Sequence, residues 1–194
     1  MAARTPTSPR SFVALLRGIN VGGNNIIPMA DLREAMADMG AEDVATYIQS
    51  GNVLFEGGRD SAKAWTTRIE AALSRRFDYT ATVVVLGHEQ LRAVVDDAPK
   101  GFGRDAGYRF DVLFLKPPLT ARAALKEIPT KDGVDVATAG PGVVYHSRLE
   151  AKATQSQLAR IVGTPLYKQL TIRNWRTTTK LLAMLDARVE DAAD

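Results

Sequence analysis

The sequence predicts an α+β fold made of two units in tandem, each with the element order β-α-β-β-α-β. Short apolar runs, which are typical of strands, alternate along the chain with segments whose apolar residues recur at helical spacing. The same order of elements occurs a second time after residue 107, although the two halves share little residue-level similarity. At 194 residues, of which 45% are hydrophobic, the chain is long enough for one large domain or two small ones.

The first unit opens with the apolar run FVALL at residues 12–16, which suits a strand that is buried on both faces. The loop RGINVGGNN at residues 17–25 follows directly. A helix is predicted next, because Pro28 fits a first helical turn and Gly40 is placed to end the helix.

The rest of the first unit is predicted to be a hairpin, a helix and a fourth strand. Residues 44–49 and 52–56 flank Ser50-Gly51, which indicates a hairpin with a two-residue turn. Apolar residues recur at helical spacing over 65–73, and TATVVVLG at 80–87 is typical of a strand.

The second unit follows a linking helix and the loop APKGFGRDAG at residues 98–107. Four further strands are predicted at 109–115, 134–138, 143–149 and 167–174. Thr120 is placed to cap one helix, while Thr154 and Gln157 have the spacing of a capping box for another. The apolar spacing near the C-terminus predicts a terminal helix.

Two split β-α-β units of this kind indicate two tandem ferredoxin-like α/β plaits, each a four-stranded antiparallel sheet covered on one face by helices. We place the first plait at residues 10–87, the linking helix and loop at 88–107, and the second plait with the terminal helix at 108–190. A single wound sheet is the alternative. The short hairpin turns disfavour it, because parallel strands need long crossover connections.

The predicted topology brings the loop at 17–25 and the hairpin at 49–52 to one end of the first plait. The candidate ligand-binding residues there are Arg17, Asn20, Gly22, Gly23, Asn24, Gln49, Ser50 and Asn52. The helix start near Pro28 adds free N–H groups, which favour an anion. A structural role is the alternative, since tight loops also need Gly and Asn for positive φ. The spacing matches neither a P-loop nor the dinucleotide fingerprint.

A second candidate surface is the segment TIRNWRTTTK at residues 171–180, which sets an aromatic side chain between two arginines. Its candidate ligand-binding residues are Arg173, Asn174, Trp175, Arg176 and Lys180. An aromatic face surrounded by cations is how a nucleotide base or single-stranded nucleic acid is held. The alternative for the tryptophan is packing in the core.

The placement of this segment follows from the end of the last strand. We predict that Asn174 or Thr177 caps the terminal helix and that the cationic side chains lie on the outside. If the two units pack head to tail, we expect Arg176 and Lys180 to approach Arg17 and Asn52.

Three blocks of sequence together resemble a known family. They are LLRGINVGGNNIIPMADL (15–32), YIQSGNVLF (47–55) and TIRNWRTTTKLL (171–182), and they resemble an uncharacterised bacterial family catalogued as domain of unknown function 1697. The resemblance implies a pair of ferredoxin-like α/β plaits and implies no reaction. Relatives in that family frequently carry a basic residue where this chain has Ile26, so this chain lacks one possible anion contact at the loop.

Charge is distributed unevenly along the chain. Residues 29–60 carry seven acidic side chains against two basic ones, whereas residues 146–180 carry seven Lys and Arg against one acidic residue. The net charge of +3 is a weak argument for nucleic acid, but the C-terminal third is predicted to form a basic surface.

Composition excludes several classes of site. The chain has no cysteine, so disulfides, thiol catalysis and thiolate metal sites are excluded. Two histidines are too few for most imidazole metal sites, and His146 is expected on the solvent face of its strand. We therefore expect no metal and no cofactor. No signal-like or membrane-spanning apolar run is present, which predicts a cytoplasmic protein with no membrane partner.

Three functions fit these patterns. The first is binding of an anionic ligand, a nucleotide or nucleic acid, at the Gly/Asn-rich loop and the basic Trp-Arg surface. The second is an enzyme acting on a small polar metabolite in the cleft between the plaits, although no nucleophile-base pair is visible and catalytic residues are unknown. The third is a structural or assembly protein, in which the loops fix the packing of the plaits. The oligomeric state, monomer or homo-oligomer, stays open.

Overall fold

The computed structural model describes residues 10–20, 25–77 and 80–191. The strands are β1 (Ser11–Leu16), β2 (Glu42–Tyr47), β3 (Asn52–Glu56), β4 (Val83–Gly87), β5 (Tyr108–Leu115), β6 (Asp135–Gly140), β7 (Val143–Leu149) and β8 (Leu170–Asn174). The α-helices are α1 (Met29–Asp38), α2 (Ala62–Arg76), α3 (His88–Asp96), α4 (Ala121–Glu127) and α5 (Trp175–Asp191). No helix within the described ranges is long and apolar enough to cross a membrane.

The eight strands form two four-stranded antiparallel sheets, one from each half of the chain. The first sheet has the order β2-β3-β1-β4 and the second has the order β6-β7-β5-β8. The interior strand β1 is buried at all six positions, as its apolar run predicts. An α+β fold is therefore confirmed.

Each sheet is covered on both faces, which corrects the expectation of helices on one face only. Alternate residues of β1 point to opposite sides, so Phe12 packs with α1 and α2 whereas Val13 packs toward the second sheet. Helices α3 and α5 lie between the two sheets in a shared apolar layer. The outer face of the second sheet packs against α4 and the segment 150–169. The two halves are thus joined by a common core layer.

The connection between β2 and β3 is longer than the predicted two-residue turn. It comprises residues 48–51, because Tyr47 pairs directly with Asn52. Gly51 has a φ of 73° in this connection, and a Cβ at that position would lie 2.8 Å from the Cβ of Leu16. The turn therefore lies tightly against the end of β1, and glycine is required there.

The segment between β7 and β8 is not the predicted α-helix. It contains three short 3₁₀ helices, Glu150–Gln155, Leu158–Ile161 and Tyr167–Gln169. Gly163 has a φ of 85° and Pro165 has no N–H to donate, so a continuous helix cannot pass through this segment. The predicted cap at Thr120 is confirmed, because its side chain accepts a hydrogen bond from the N–H of Ala123.

Candidate functional site

The guanidinium of Arg173 is enclosed between the two halves of the chain. Arg173 is 8% exposed, and its Nε donates to Oδ1 of Asn52 at 2.5 Å. Its Nη2 lies 2.8, 2.9 and 3.2 Å from the backbone carbonyl oxygens of Leu16, Ser50 and Gly51. We call this group of five residues the Arg173 junction. It joins β8 to the ends of β1 and β3.

The remaining donors of Arg173 are also satisfied by the protein. Nη1 donates to Oγ1 of Thr171 at 2.7 Å and to the carbonyl oxygen of Ile172 at 2.8 Å. All of these acceptors are neutral. Burial lowers the pKa of Arg173 to about 10, which leaves it charged at neutral pH. The prediction that Arg173 lies on the outside is wrong, because strand alternation turns residues 171 and 173 inward together.

The predicted neighbourhood of loop and hairpin is confirmed. Nδ2 of Asn20 donates to the carbonyl oxygens of Gln49 at 3.1 Å and Ile27 at 3.0 Å, and Oδ1 of Asn20 accepts from the N–H of Ile27 at 2.8 Å. Nδ2 of Asn52 donates to Oγ of Ser50 at 3.1 Å. These amides hold the chain in place. Gly22, Gly23 and Asn24 lie outside the described residues.

A cleft of about 610 Å³ lies beside this loop, at the N-terminal end of α1. Its lining residues are Asn20, Ile26, Ile27, Pro28, Met29, Ala30 and Gln49. Ile26 is 73% exposed at this cleft, where its side chain offers no charge to an anion. Arg17 points elsewhere, with its guanidinium stacked 4.6 Å from the ring centre of Tyr167.

A larger cleft, of about 740 Å³, lies where β8 ends and α5 begins. We call it the Trp175 cleft. Its lining residues are Gly103, Arg109, Phe110, Asp111, Arg148, Asn174, Trp175, Arg176 and Thr179. Three of the predicted site residues lie here together, and Lys180 does not line the cleft.

The indole of Trp175 is half-buried and held from two sides. It meets the ring of Phe102 edge to face, with the centroids 5.1 Å apart. Gly103 lies so close that a Cβ there would be 2.0 Å from Cδ1 of the indole. Asn174 caps α5 as predicted, since its Oδ1 accepts from the N–H of Thr177 at 2.7 Å. The indole is therefore fixed in orientation.

Three arginines surround the cleft in different states. Arg109 is paired with Glu150, with Nη2 2.6 Å from Oε1. Nη2 of Arg148 lies 3.7 Å from Oδ2 of Asp111. Arg176 is exposed, and within the described ranges its side chain makes no hydrogen bond or ion pair. Arg173 makes the side-chain hydrogen bond to Asn52, whereas the expected approach of Arg176 and Lys180 to Arg17 and Asn52 stays a prediction.

A buried acid-base pair lies next to the cleft, on the sheet face that also carries the side chain of Asp111. Nε2 of His146 is 3.5 Å from Oδ1 of Asp135, and both side chains are fully buried. The expectation that His146 faces solvent is wrong, because the 3₁₀ segment covers that face of the sheet. Burial lowers the pKa of His146. Burial acts to raise the pKa of Asp135, but hydrogen bonds from Ser156 and from the N–H groups of Gln157 and Lys131 bring it below its usual value.

Sequence reasoning missed six of the nine lining residues of the Trp175 cleft, three of which are charged. Arg109 and Asp111 lie on β5, and Arg148 lies on β7, far in sequence from Trp175. The signal available was the presence of charged residues in otherwise apolar strand runs. Among the described residues, no group of three His, Cys, Asp or Glu side chains could hold a metal ion.

Comparison with known proteins gives a family and a structural neighbour. The solved structure of the conserved bacterial protein SP0830 from Streptococcus pneumoniae is similar to this chain, with 29% sequence identity and a TM-score of 0.79 over 91% of this chain and 98% of that one. No curated protein matches. The sequence profile of a family described as "Protein of unknown function (DUF1697)" matches residues 10–145, and the chain therefore belongs to this family.

Proposed function

We propose that this protein binds an anionic ligand that carries a flat ring, namely a nucleotide, in the Trp175 cleft. The observation that carries the proposal is that an oriented indole and three guanidinium groups line one cleft of about 740 Å³. That volume lies within the roughly 300–1,000 Å³ typical of small-molecule sites. A short single strand of nucleic acid is the alternative that the experiment below distinguishes.

Charge favours an anion at this cleft. Arg176 has no partner among the described residues, and Arg148 is only loosely paired with Asp111 at 3.7 Å. The planar guanidinium fork matches phosphate oxygens in a bidentate way. The cleft also lies at the N-terminal end of the 17-residue helix α5, whose dipole favours negative charge.

The indole of Trp175 supplies the complementary surface for a ring. Contacts with Phe102 and Gly103 fix its plane, so little entropy is lost when a base stacks on it. Stacking of a base on an aromatic side chain contributes roughly 1–3 kcal/mol. A phosphate contact and a stacking contact together define a nucleotide better than either contact alone.

A structural role is favoured at the other predicted surface. The side-chain hydrogen bonds of Asn20, Asn52 and Arg173 are made to other groups of the protein. We infer that Arg173 positions β8, and with it Asn174 and Trp175, against the first half of the chain. In this proposal Arg173 acts through the fold and does not contact the ligand.

We also interpret each sheet with its helices as a ferredoxin-like α/β plait. The strand orders β2-β3-β1-β4 and β6-β7-β5-β8 support this interpretation. In the second half, the 3₁₀ helices between β7 and β8 stand where the first half has α2. The boundaries 10–87, 88–107 and 108–190 and a cytoplasmic location stay predictions.

Tryptophan fluorescence tests the proposal directly. Trp65 is 1% exposed and bonded to the carbonyl of Gly57, so quenching by a ligand reports mainly on Trp175. We expect saturable quenching by nucleotides, weakened at higher salt because phosphate contacts are screened. Arg176→Ala is expected to weaken binding at least tenfold, whereas Arg122→Ala, at an exposed position on α4, serves as the matched control.

The competing outcomes are distinct. Absence of saturable quenching at low salt by mononucleotides and by labelled DNA or RNA strands would overturn the proposal. Binding of strands but not of mononucleotides would reassign the cleft to single-stranded nucleic acid. Trp175→Phe lacks the fluorescent reporter, so its affinity is measured by isothermal titration calorimetry. Weaker binding by this variant would show that the indole contributes to affinity by stacking and does not only report binding.

A further inference from the structure

A cleft of about 480 Å³ lies between the two halves of the chain and shares no lining residue with the Trp175 cleft. Part of its lining is one face of α2, and another part is Lys116 with the two prolines that follow it. Val85 of β4 and Gln90 of α3 complete the lining. We call it the Lys116 cleft. Its volume lies within the roughly 300–1,000 Å³ typical of small-molecule sites.

The ammonium group of Lys116 is held in place at this cleft. Nζ lies 2.7 and 2.8 Å from the two carboxylate oxygens of Glu70, whose Oε1 also accepts from the N–H of Val83 at 2.9 Å. The two bonds to Glu70 use at most two of the three N–H groups of the ammonium. Within the described ranges no other acceptor bonds to Nζ, so its third N–H is open to a ligand.

The other polar groups of the Lys116 cleft also favour an anion. Lys63 is exposed, and its side chain makes no ion pair in the described part of the chain, so two ammonium groups face one carboxylate. Oε1 of Gln90 accepts from the N–H of Gly87 at 2.9 Å, which leaves Nε2 as a donor. The hydroxyl groups of Thr66 and Thr67 donate to carbonyl oxygens of α2 and the cleft therefore gains no donor from them.

The lining favours a carboxylate over a phosphate and an aliphatic body over a ring. None of the lining residues is an arginine, so the guanidinium fork that holds phosphate in a bidentate way is missing. None is aromatic, so the cleft has no surface on which a base stacks. Pro117 and Pro118 lie next to the ammonium and have no N–H to donate, and Val85 adds a branched aliphatic side chain.

We propose that the Lys116 cleft is a second ligand site and that it binds a short aliphatic carboxylate. The carboxylate accepts a hydrogen bond from Nζ of Lys116, and the aliphatic chain packs against Pro117, Pro118 and Val85. The side chains of Lys116 and Glu70 are only 32% and 19% exposed, so salt screens charges here less than at an open surface. This site is independent of nucleotide binding in the Trp175 cleft, and failure of either proposal leaves the other standing.

Nuclear magnetic resonance of ¹⁵N-labelled protein titrated with hexanoate tests the assignment. Saturable shifts are expected for the side-chain amide of Gln90 and the backbone N–H of Val85, with a Kd of about 1 mM or lower. The indole N–H of Trp175 should not shift. Acetate, which lacks the aliphatic chain, and hexanol, which lacks the charge, should each bind at least tenfold more weakly than hexanoate.

Lys116→Met keeps the aliphatic part of the side chain and removes the ammonium. It should weaken hexanoate binding at least tenfold and leave hexanol binding unchanged, whereas Lys152→Met, at an exposed position outside the cleft, should bind as the wild type does. Urea unfolding checks that both variants fold, and the ligand series on the wild type needs no variant. The proposal is overturned by the absence of saturable shifts up to about ten times the expected Kd, by shifts at the Trp175 indole in place of Gln90, or by equal affinities for hexanoate and hexanol.

Discussion

Nε of Arg173 on β8 donates a 2.5 Å hydrogen bond to Oδ1 of Asn52 at the start of β3, across 121 residues of chain. The same guanidinium contacts the carbonyl oxygens of Leu16, Ser50 and Gly51. The three sequence blocks that carry the family resemblance thus meet at one buried cation. The guanidinium thus joins the two sheets, and the Trp175 cleft begins at the next residues along the chain.

Arg173→Lys is expected to reduce the free energy of unfolding by about 3 kcal/mol or more, because one ammonium cannot satisfy the carbonyl and amide acceptors that the guanidinium fork reaches. Urea unfolding measures this loss. Arg176→Ala removes an exposed guanidinium group three residues away. This variant should change the free energy of unfolding by less than about 0.5 kcal/mol. A loss below about 1 kcal/mol for Arg173→Lys would show that the junction does not hold the halves together.

Gly103→Ala is expected to displace the indole of Trp175. Both Gly101 and Gly103 have positive φ, 83° and 80°, so alanine at either position costs about 1 kcal/mol in backbone strain. Only at Gly103 does the new Cβ clash with the indole, at 2.0 Å from Cδ1, whereas nothing lies within 4 Å at Gly101. Gly101→Ala is therefore a matched control with the same backbone cost.

The fluorescence emission maximum and near-UV circular dichroism report the displacement. Gly103→Ala should shift the emission of Trp175 to longer wavelength and lower stability further than Gly101→Ala, by roughly 1–3 kcal/mol, since overpacking forces neighbours apart. Identical spectra for the two variants would mean that Gly103 does not orient the indole.

Much of the fold could be predicted from local sequence patterns, whereas the candidate site could be predicted only in part. Alternation and helical spacing predicted the strands and most helices because apolar burial has a period that the sequence displays. The helix expected after Thr154 failed because Gly163 and Pro165 and the contacts of Asp135 outweigh a capping signal. Arg173 was predicted to be exposed for a related reason. The packing of the two sheets decides which face of the edge strand β8 is buried, and a local sequence pattern does not contain that information.

The pH dependence of stability is expected to report His146. Because burial lowers its pKa, the folded chain takes up a proton at lower pH than the unfolded chain, whose histidine titrates near 6.5. The stability from neutral His146 is complete above that value and is lost as the pH falls below it, at up to about 1.4 kcal/mol per pH unit. The groups that face the imidazole are Asp135, which raises its pKa, and Arg148, which lowers it.

His146→Gln isolates this contribution. Unfolding free energies of the wild type and variant, measured by urea between pH 7.5 and 5, should converge as the pH falls, because only the wild type loses stability through this group. Titrating groups that do not interact with His146 cancel in the difference. Parallel curves would show that His146 is protonated equally in both states.

The ion pair between Glu70 on α2 and Lys116 after β5 provides a second link between the halves. Nζ of Lys116 lies 2.7 and 2.8 Å from the two carboxylate oxygens, and Oε1 of Glu70 also accepts from the N–H of Val83 at 2.9 Å.

Because Lys116 is 32% exposed, the ion pair itself should contribute no more than about 1 kcal/mol. Glu70→Gln and Lys116→Met should therefore each cost about that much or less. Glu70→Ala also leaves the N–H of Val83 without its acceptor and should cost roughly 1–3 kcal/mol more. Urea unfolding at low and at 1 M salt separates the two contributions, since salt screens the pair but not the backbone bond. If Glu70→Ala cost no more than Lys116→Met at either salt concentration, the backbone contact would have no part in stability, and the link would be electrostatic alone.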